Sequence, residues 1–437
     1  MIISMMGTAD TVVAAPTEAV VFMDESNNNT KVLETVRSAG LQNLGNTCFL
    51  NSTIQCIRNM PEIRVALGRL QRNSSNVFIC ALRDELIQAD ASRDSIPPAE
   101  FVQLLSTMYP DFDQRSRTGH HIQHDAEEFY NIVVQQLQSC LGDNVKNHLK
   151  IDIDQVDTCT ETDQESSVAS REQMSKIVCN ITGAVNFLHE GMKLYLESSI
   201  TKHSGVLGRD AVWQRKQYFA SLPPYLCFQF MRFFYKPPNP SVRDDQGTNC
   251  KILRTVKFPG VFDAFEYCNE ELKTKLRLNR EKEDKVIEES IGKKSKLDVT
   301  PIALSGDAMV VDDGEMTDEL RAAIALSLGD SATPAETVFK APSQVAETDS
   351  SFEMYGLPRN FTGHYELHSI VSHKGRGSDS GHYVGWVRQK PGSDYWWKYD
   401  DDKVSETSTD KIMELCGGGD RDMAYLAFYR FREPRQA

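Results

Sequence analysis

The apolar residues change their period once along this chain, and that change limits the folds open to it. From Gly40 to about Leu141 they recur at helical spacing: Phe49, Leu50, Thr53, Ile54 and Ile57 share one helical face, and Pro61 closes the run. The segment "HDAEEFYNIVVQQLQSCL" repeats the pattern with Phe129, Ile132, Val133 and Leu137. From about residue 148 strand character takes over. "HLKIDIDQVDTCTET" alternates, and "LPPYLCFQFMRFFYK" is almost continuously apolar, as a strand buried on both faces requires. "HYELHSIVSHKG", "GHYVGWVRQ", "YWWKYDDDKV" and "MAYLAFYRF" complete the set. A helical first half and a sheet-rich second half indicate an α+β enzyme.

Two segments break the pattern. Residues 1–37 carry alanines, acids and "ESNNNT" with little periodicity, which indicates a flexible leader. Between 271 and 350 lysines and acids crowd together and aromatics nearly vanish, which indicates a disordered acidic insertion inside the domain that spans 38–435.

Composition narrows the function. The chain has 48 basic and 62 acidic side chains, a formal charge of −14, and such a surface repels phosphate backbones; no nucleic-acid role is expected. Its apolar runs are all shorter than the roughly 18 residues a membrane span needs, so no membrane role is expected. The ten cysteines are scattered and form no CxxC pair, which argues against a zinc ribbon and for reduced thiols in cytoplasm and nucleus. His120 and His124 stand four apart, a metal-ligand spacing, but no HExxH glutamate accompanies them. They are read as a solvated helix start, and no metal or cofactor is expected.

One cysteine stands apart. "GLQNLGNTCFLNSTIQCI" places Cys48 where a Gly/Asn loop meets a helix, a position that favours thiolate over thiol and supplies N–H groups to an oxyanion. A thiol nucleophile needs a base, and the base needs an orienting partner. His382, in "SDSGHYVGWV", follows a Gly/Ser-rich loop and opens a strand; Asp400 follows eighteen residues later (400 − 382) in "WWKYDDDKV". If "KPGSD" is a turn joining antiparallel strands, the two meet.

The Cys48 segment resembles the cysteine box of the ubiquitin-specific protease family, and "SGHYVGWV" with "WWKYDDDKV" resembles its histidine box. "QHDAEEF", "LPPYLCFQFMRF" and "AYLAFYRF" match further family segments in order, from about residue 38 to 432. The resemblance implies a papain-like fold with a helical thumb and β-rich fingers and palm. It implies a hydrolase that cuts after the last glycine of ubiquitin, with ubiquitin and polyubiquitinated proteins as partners. Carried over by position, Cys48 is the nucleophile, His382 the base and then acid, Asp400 the orienter, and Asn43 the oxyanion donor. Asp401 is placed to share the orienting work. Gln123, Asp125, Glu128 and Tyr383 are implied to hold the ubiquitin tail.

Within the family, "MRFFYK", "YDDDKVS", "GGGD" and "MMGTAD" resemble the proteasome-associated branch, which carries no CxxC pairs. That branch begins with a ubiquitin-like domain, and the opening residues here resemble the end of one. The expectation is a chain without that domain, its docking on the 26S proteasome regulatory particle weakened. Surface loops block the cleft in that branch; "KGRGSDS" (374–380) is the candidate here, and low basal activity is expected.

In the insertion, "DDGEMTDELRAAIALSLGDS" spaces Leu320, Ala323 and Ser327 along one face of a helix at 315–330, behind a run of acids. This resembles a ubiquitin-interacting motif; a short helix packed on its own domain is the alternative. For the whole chain, the rival readings are a ubiquitin-binding proteasome scaffold with little catalysis, and a general papain-like protease or acyltransferase.

Overall fold

A computed structural model describes residues 39–70, 76–115, 121–141, 147–237, 248–297, 356–375, 377, 380–419 and 421–433. The helical half consists of α1 (Cys48–Arg58), α2 (Pro61–Arg69), α3 (Val77–Ala91), α4 (Ala99–Met108) and α5 (Ala126–Cys140). Pro61 acts twice: α1 stops three residues before it, and it then occupies the first turn of α2, where its missing N–H costs nothing.

The strands build two larger sheets. β1 (Ile151–Cys159), β2 (Val168–Met174), β4 (Glu197–Ser204) and β5 (Arg209–Phe219) form a four-stranded sheet in the order β2-β1-β5-β4. The other contains β3 (Ile177–Cys179), β6 (Tyr225–Phe230), β10 (His364–Lys374), β11 (His382–Arg388), β12 (Tyr395–Asp400), β13 (Lys403–Ser408) and β14 (Met423–Phe431). Its order is β13-β12-β11-β10-β14-β6-β3, with β9 (Val261–Asp263) beside β10. β6 is buried at all six positions, which explains its unbroken apolar sequence. β7 (Phe233–Lys236) and β8 (Thr248–Lys251) make a separate ribbon.

Two cores flank the large sheet. One joins the helices to one face through Leu50, Ile54, Phe129, Val371 and Val387; the other joins its opposite face to the base of the four-stranded sheet through Phe219, Phe228, Trp386 and Trp396. Every residue of α1 is buried. It can lie this close to β11 because Gly385 faces it: a Cβ there would stand 3.0 Å from the Ser52 carbonyl oxygen.

Two elements differ from the sequence reading. α6 (Leu188–Leu196) interrupts a region read as strands, its start fixed by Glu190, whose carboxylate accepts from the Asn186 and Phe187 N–H groups. More substantially, the insertion does not begin as a disordered segment at 271. Residues Glu270–Leu297 form α7. Asn269 caps it, Glu271 pairs with Lys275 at 2.7 Å, and Leu272 and Leu276 are buried in the second core. The same charge richness that argues for disorder supplies i,i+4 pairs once two leucines have a surface to dock on. The chain closes with α8 (Thr409–Met413) and β14.

Candidate active site

The loop before α1 is organised by its own side chains. Asn43 Oδ1 accepts from the Gly45 N–H (2.9 Å) and the Thr47 N–H (3.2 Å). Gly45 (φ 103°) and Asn46 (φ 56°) are left-handed, and this reverses the chain immediately before the helix. Cys48 is therefore the first helical residue, 2 % exposed, at the end where backbone N–H groups lack helical partners.

The sheet supplies the other side. His382 opens β11 and Asp400 closes β12, and these strands pair antiparallel with Gly385 opposite Tyr399. His382 Nε2 lies 2.7 Å from Asp400 Oδ1, and the ring also hydrogen-bonds the Cys48 thiol. The imidazole thus bridges carboxylate and sulfur. The Asp400 bond, then the Cys48 bond, push His382 up to about 10. The same contact, helped by Lys398, holds Asp400 well below the usual carboxylate range. These shifts are two faces of one interaction, not two stabilisations.

Asp401 does a different job from Asp400. Its Oδ2 is 4.0 Å from His382 Nε2, but its nearer partners are amides: Asn43 Nδ2 donates to Oδ2 (2.9 Å) and Asn51 Nδ2 to Oδ1 (2.8 Å). The Leu41 N–H donates to the Asp401 carbonyl oxygen at 3.0 Å. Asp401 therefore ties the β12–β13 turn to both the nucleophile loop and α1. Gly40 permits the approach, since a Cβ there would meet the Asp401 and Asp402 carbonyl oxygens at 2.5–2.6 Å. Sequence reading missed Asn51, which stands beside Ser52, Thr53 and Gln55 in α1 with nothing local to single it out.

The remaining sequence-selected residues fall in three places. Buried Gln123 points its amide at the nucleophile, with Nε2 3.9 Å from Cys48 Sγ. Asp125 caps α5 by accepting from the Glu127 N–H (2.8 Å), and its other oxygen accepts from the Tyr425 hydroxyl (2.8 Å); burial pushes it up to about 6. Glu128 is exposed one turn along, whereas the Tyr383 ring is buried between His373 and Tyr425. Leu320, Ala323 and Ser327, like the leader at 1–37, lie outside the described residues.

A thiol at a helix N-terminus, an imidazole joining it to a carboxylate, and amides beside the sulfur, set between a helical unit and a sheet, define a cysteine hydrolase. The sequence pattern of the family described as "Ubiquitin carboxyl-terminal hydrolase" matches residues 39–429. Ubiquitin carboxyl-terminal hydrolase 6 of Arabidopsis thaliana is 35 % identical across 98 % of this chain and 85 % of its own length. The Schizosaccharomyces pombe protein of the same name is 32 % identical over 98 % of this chain and 85 % of its own. Ubiquitin carboxyl-terminal hydrolase 14 of Caenorhabditis elegans is 29 % identical over 100 % and 82 %. The chain belongs to this family of ubiquitin-specific proteases and is a cysteine-type ubiquitin hydrolase.

Proposed function

We propose that the chain hydrolyses the isopeptide bond after the C-terminal glycine of ubiquitin with Cys48, His382 and Asp400 as its catalytic set. The observation that carries this reading is the His382 ring, which has Asp400 at 2.7 Å and the Cys48 thiol as its side-chain partners. The Cys48 thiolate attacks the glycine carbonyl carbon, and the carbonyl electron pair moves onto oxygen. The Cys48 backbone N–H and the second hydrogen of the Asn43 amide, whose first goes to Asp401, receive that charge. Gln123, with its amide 3.9 Å from the sulfur, is a further donor as well as a tail contact. Collapse breaks the C–N bond, and the lysine amine leaves with the proton from His382. His382 then deprotonates a water that attacks the thioester, releasing the ubiquitin carboxylate and regenerating the thiol.

Low activity of the free chain belongs to the same reading, on the strength of the branch-like segments. Each oxygen of Asp125 already accepts one hydrogen bond within the chain and keeps a further lone pair for the ubiquitin tail. We extend the reading to ubiquitin on proteasome-bound conjugates, on the strength of the branch-like segments "MRFFYK", "YDDDKVS" and "GGGD".

The test is capture by a ubiquitin bearing a C-terminal electrophile, with and without proteasomes. Wild type should label at Cys48, faster with proteasomes present. Cys48→Ala should neither label nor cleave a ubiquitin fluorogenic substrate while still binding ubiquitin. Cleavage by Cys48→Ala ends the assignment, and a wild type that binds ubiquitin but never labels is the non-catalytic scaffold.

A further inference from the structure

Asp400 has two oxygens, and His382 uses one. The other, Oδ2, accepts from Lys398 Nζ at 2.8 Å. Lys398 and Asp400 are two apart on β12 and so point to the same face of the sheet. The lysine is itself held: Trp386 is its register partner on β11, and the ammonium lies 5.4 Å from the centre of that ring. Trp386 is fixed in turn by donating to Ser372 Oγ at 2.8 Å. A chain of contacts therefore runs Ser372, Trp386, Lys398, Asp400, His382, Cys48, from the middle of the sheet to the sulfur.

The surroundings do not supply a substitute. Asp400 is about one-third exposed at a strand end, where water competes for its oxygens and the carboxylate would otherwise rotate. Lys403, its register partner on β13, is exposed. Asp422, just before β14, lies within the field of Lys398, Lys374, Asp400 and His382, and its buried Oδ1 has no hydrogen-bond partner among the described residues. Asp422 feels the charge of Lys398, but the short contact of the lysine is with the carboxylate that faces the histidine.

We propose that Lys398 is a positioning residue: by fixing Asp400 Oδ2 it aims Oδ1 at His382 and so holds the imidazole against Cys48. This rests on the catalytic reading above. The ammonium sits on the imidazole's side of this chain and partly offsets the Asp400 charge, so its contribution is geometric and not a charge stabilisation of the imidazolium. Loss of the lysine therefore acts through a looser carboxylate and a looser imidazole.

The measurement is alkylation of Cys48 by iodoacetamide from pH 5 to 9, followed at the Cys48 peptide by mass spectrometry. The reagent is small and needs no ubiquitin in the cleft. Lys398→Met should slow alkylation of Cys48 roughly threefold or more at pH 7, because a misaligned imidazole no longer assists the thiol. It should lower kcat on the ubiquitin fluorogenic substrate by roughly tenfold with KM little changed, as for a misaligned catalytic group. Lys398→Arg, which keeps charge and donors, should stay within about threefold of wild type. A lysine that only stabilises the fold would lower Tm and leave the alkylation profile where it was. That result, or a Met variant indistinguishable from wild type, overturns the proposal. If the Met variant does not fold, Lys398→Gln against Lys398→Arg gives the same readout. Failure of the catalytic reading looks different: Cys48→Ala would still turn over substrate.

Discussion

His382 has one ring to share between a sulfur and a carboxylate, and the 2.7 Å bond to Asp400 decides how that ring stands. Replacing Asp400 with Asn keeps the shape but offers a neutral partner, which stabilises imidazolium less and permits the wrong tautomer. By analogy with other nucleophile–histidine–aspartate sites, Asp400→Asn should lower kcat by about 10²–10⁴ with KM within a few-fold. Steady-state kinetics on a ubiquitin fluorogenic substrate checks it; a loss under threefold would transfer the orienting role to Asp401. The two neighbouring aspartates illustrate what spacing leaves open. Both stand near the imidazole on paper, yet Asp401 spends its oxygens on Asn43 and Asn51. Its backbone is left-handed (φ 53°), and its Oδ2 stops 4.0 Å from His382 Nε2 where Asp400 Oδ1 reaches 2.7 Å. That difference of 1.3 Å (4.0 − 2.7) separates orienter from tie, and no residue type announces it.

At the scale of elements, the nucleophile reaches its partners because a loop, a helix and a strand hairpin approach more closely than ordinary side chains allow. Gly40 lies against the Asp401–Asp402 backbone, and Gly385 against Ser52 of α1. Gly40→Ala sets a Cβ 2.5 Å from a backbone oxygen, which cannot swing aside as a long side chain can. The loop and the β12–β13 turn must separate, and the Leu41 N–H bond to Asp401 stretches with them. The expected outcome is a fall in kcat/KM of roughly tenfold or more together with a lower Tm, because displacements of about 1 Å at such sites are costly. Wild-type kinetics in Gly40→Ala would show that the apposition does not position the site. α1, α5, β10, β11, β12 and β14 were legible because each has a strong period, whereas "YWWKYDDDKV" reads as one strand and the structure turns within it to start β13. α6 and α7 were not legible, since a short capped helix and a charged helix show their reasons only beside the surfaces they dock on.

Across the whole molecule the large sheet buries titratable groups that are not members of the catalytic set, and these contribute to acid stability. His368 is held down to about 4 and His373 to about 3, in both cases chiefly by burial. Between those values and the usual histidine pKa near 6.5, the unfolded chain binds protons that the folded chain refuses. Their stabilising contribution is thus complete above about pH 6.5 and is lost as pH falls toward 4. For His368, wholly enclosed, the shift corresponds to about 3 kcal/mol. Glu85 and Asp125, raised to about 7 and about 6 by burial, act oppositely in the same range, so a variant isolates the histidine better than the bulk curve does. His368→Gln should show a flatter Tm between pH 6.5 and 4.5 than wild type, whatever its Tm at neutral pH; parallel profiles would refute the account. What the sequence determined by itself is the part written in local pattern: the α+β division, α1 and α5, the strongly apolar strands such as β6, β10, β11 and β14, the placement of Cys48 at a helix start, and the ordered segments that carry the family. Tertiary structure decided which aspartate meets the histidine, where Asn43, Asn51, Gln123 and Lys398 spend their hydrogen bonds, and that α7 is a helix. The physical reason is range: periodicity and capping act within a few residues, whereas these contacts join positions up to 358 apart, and only a completed core fixes their directions.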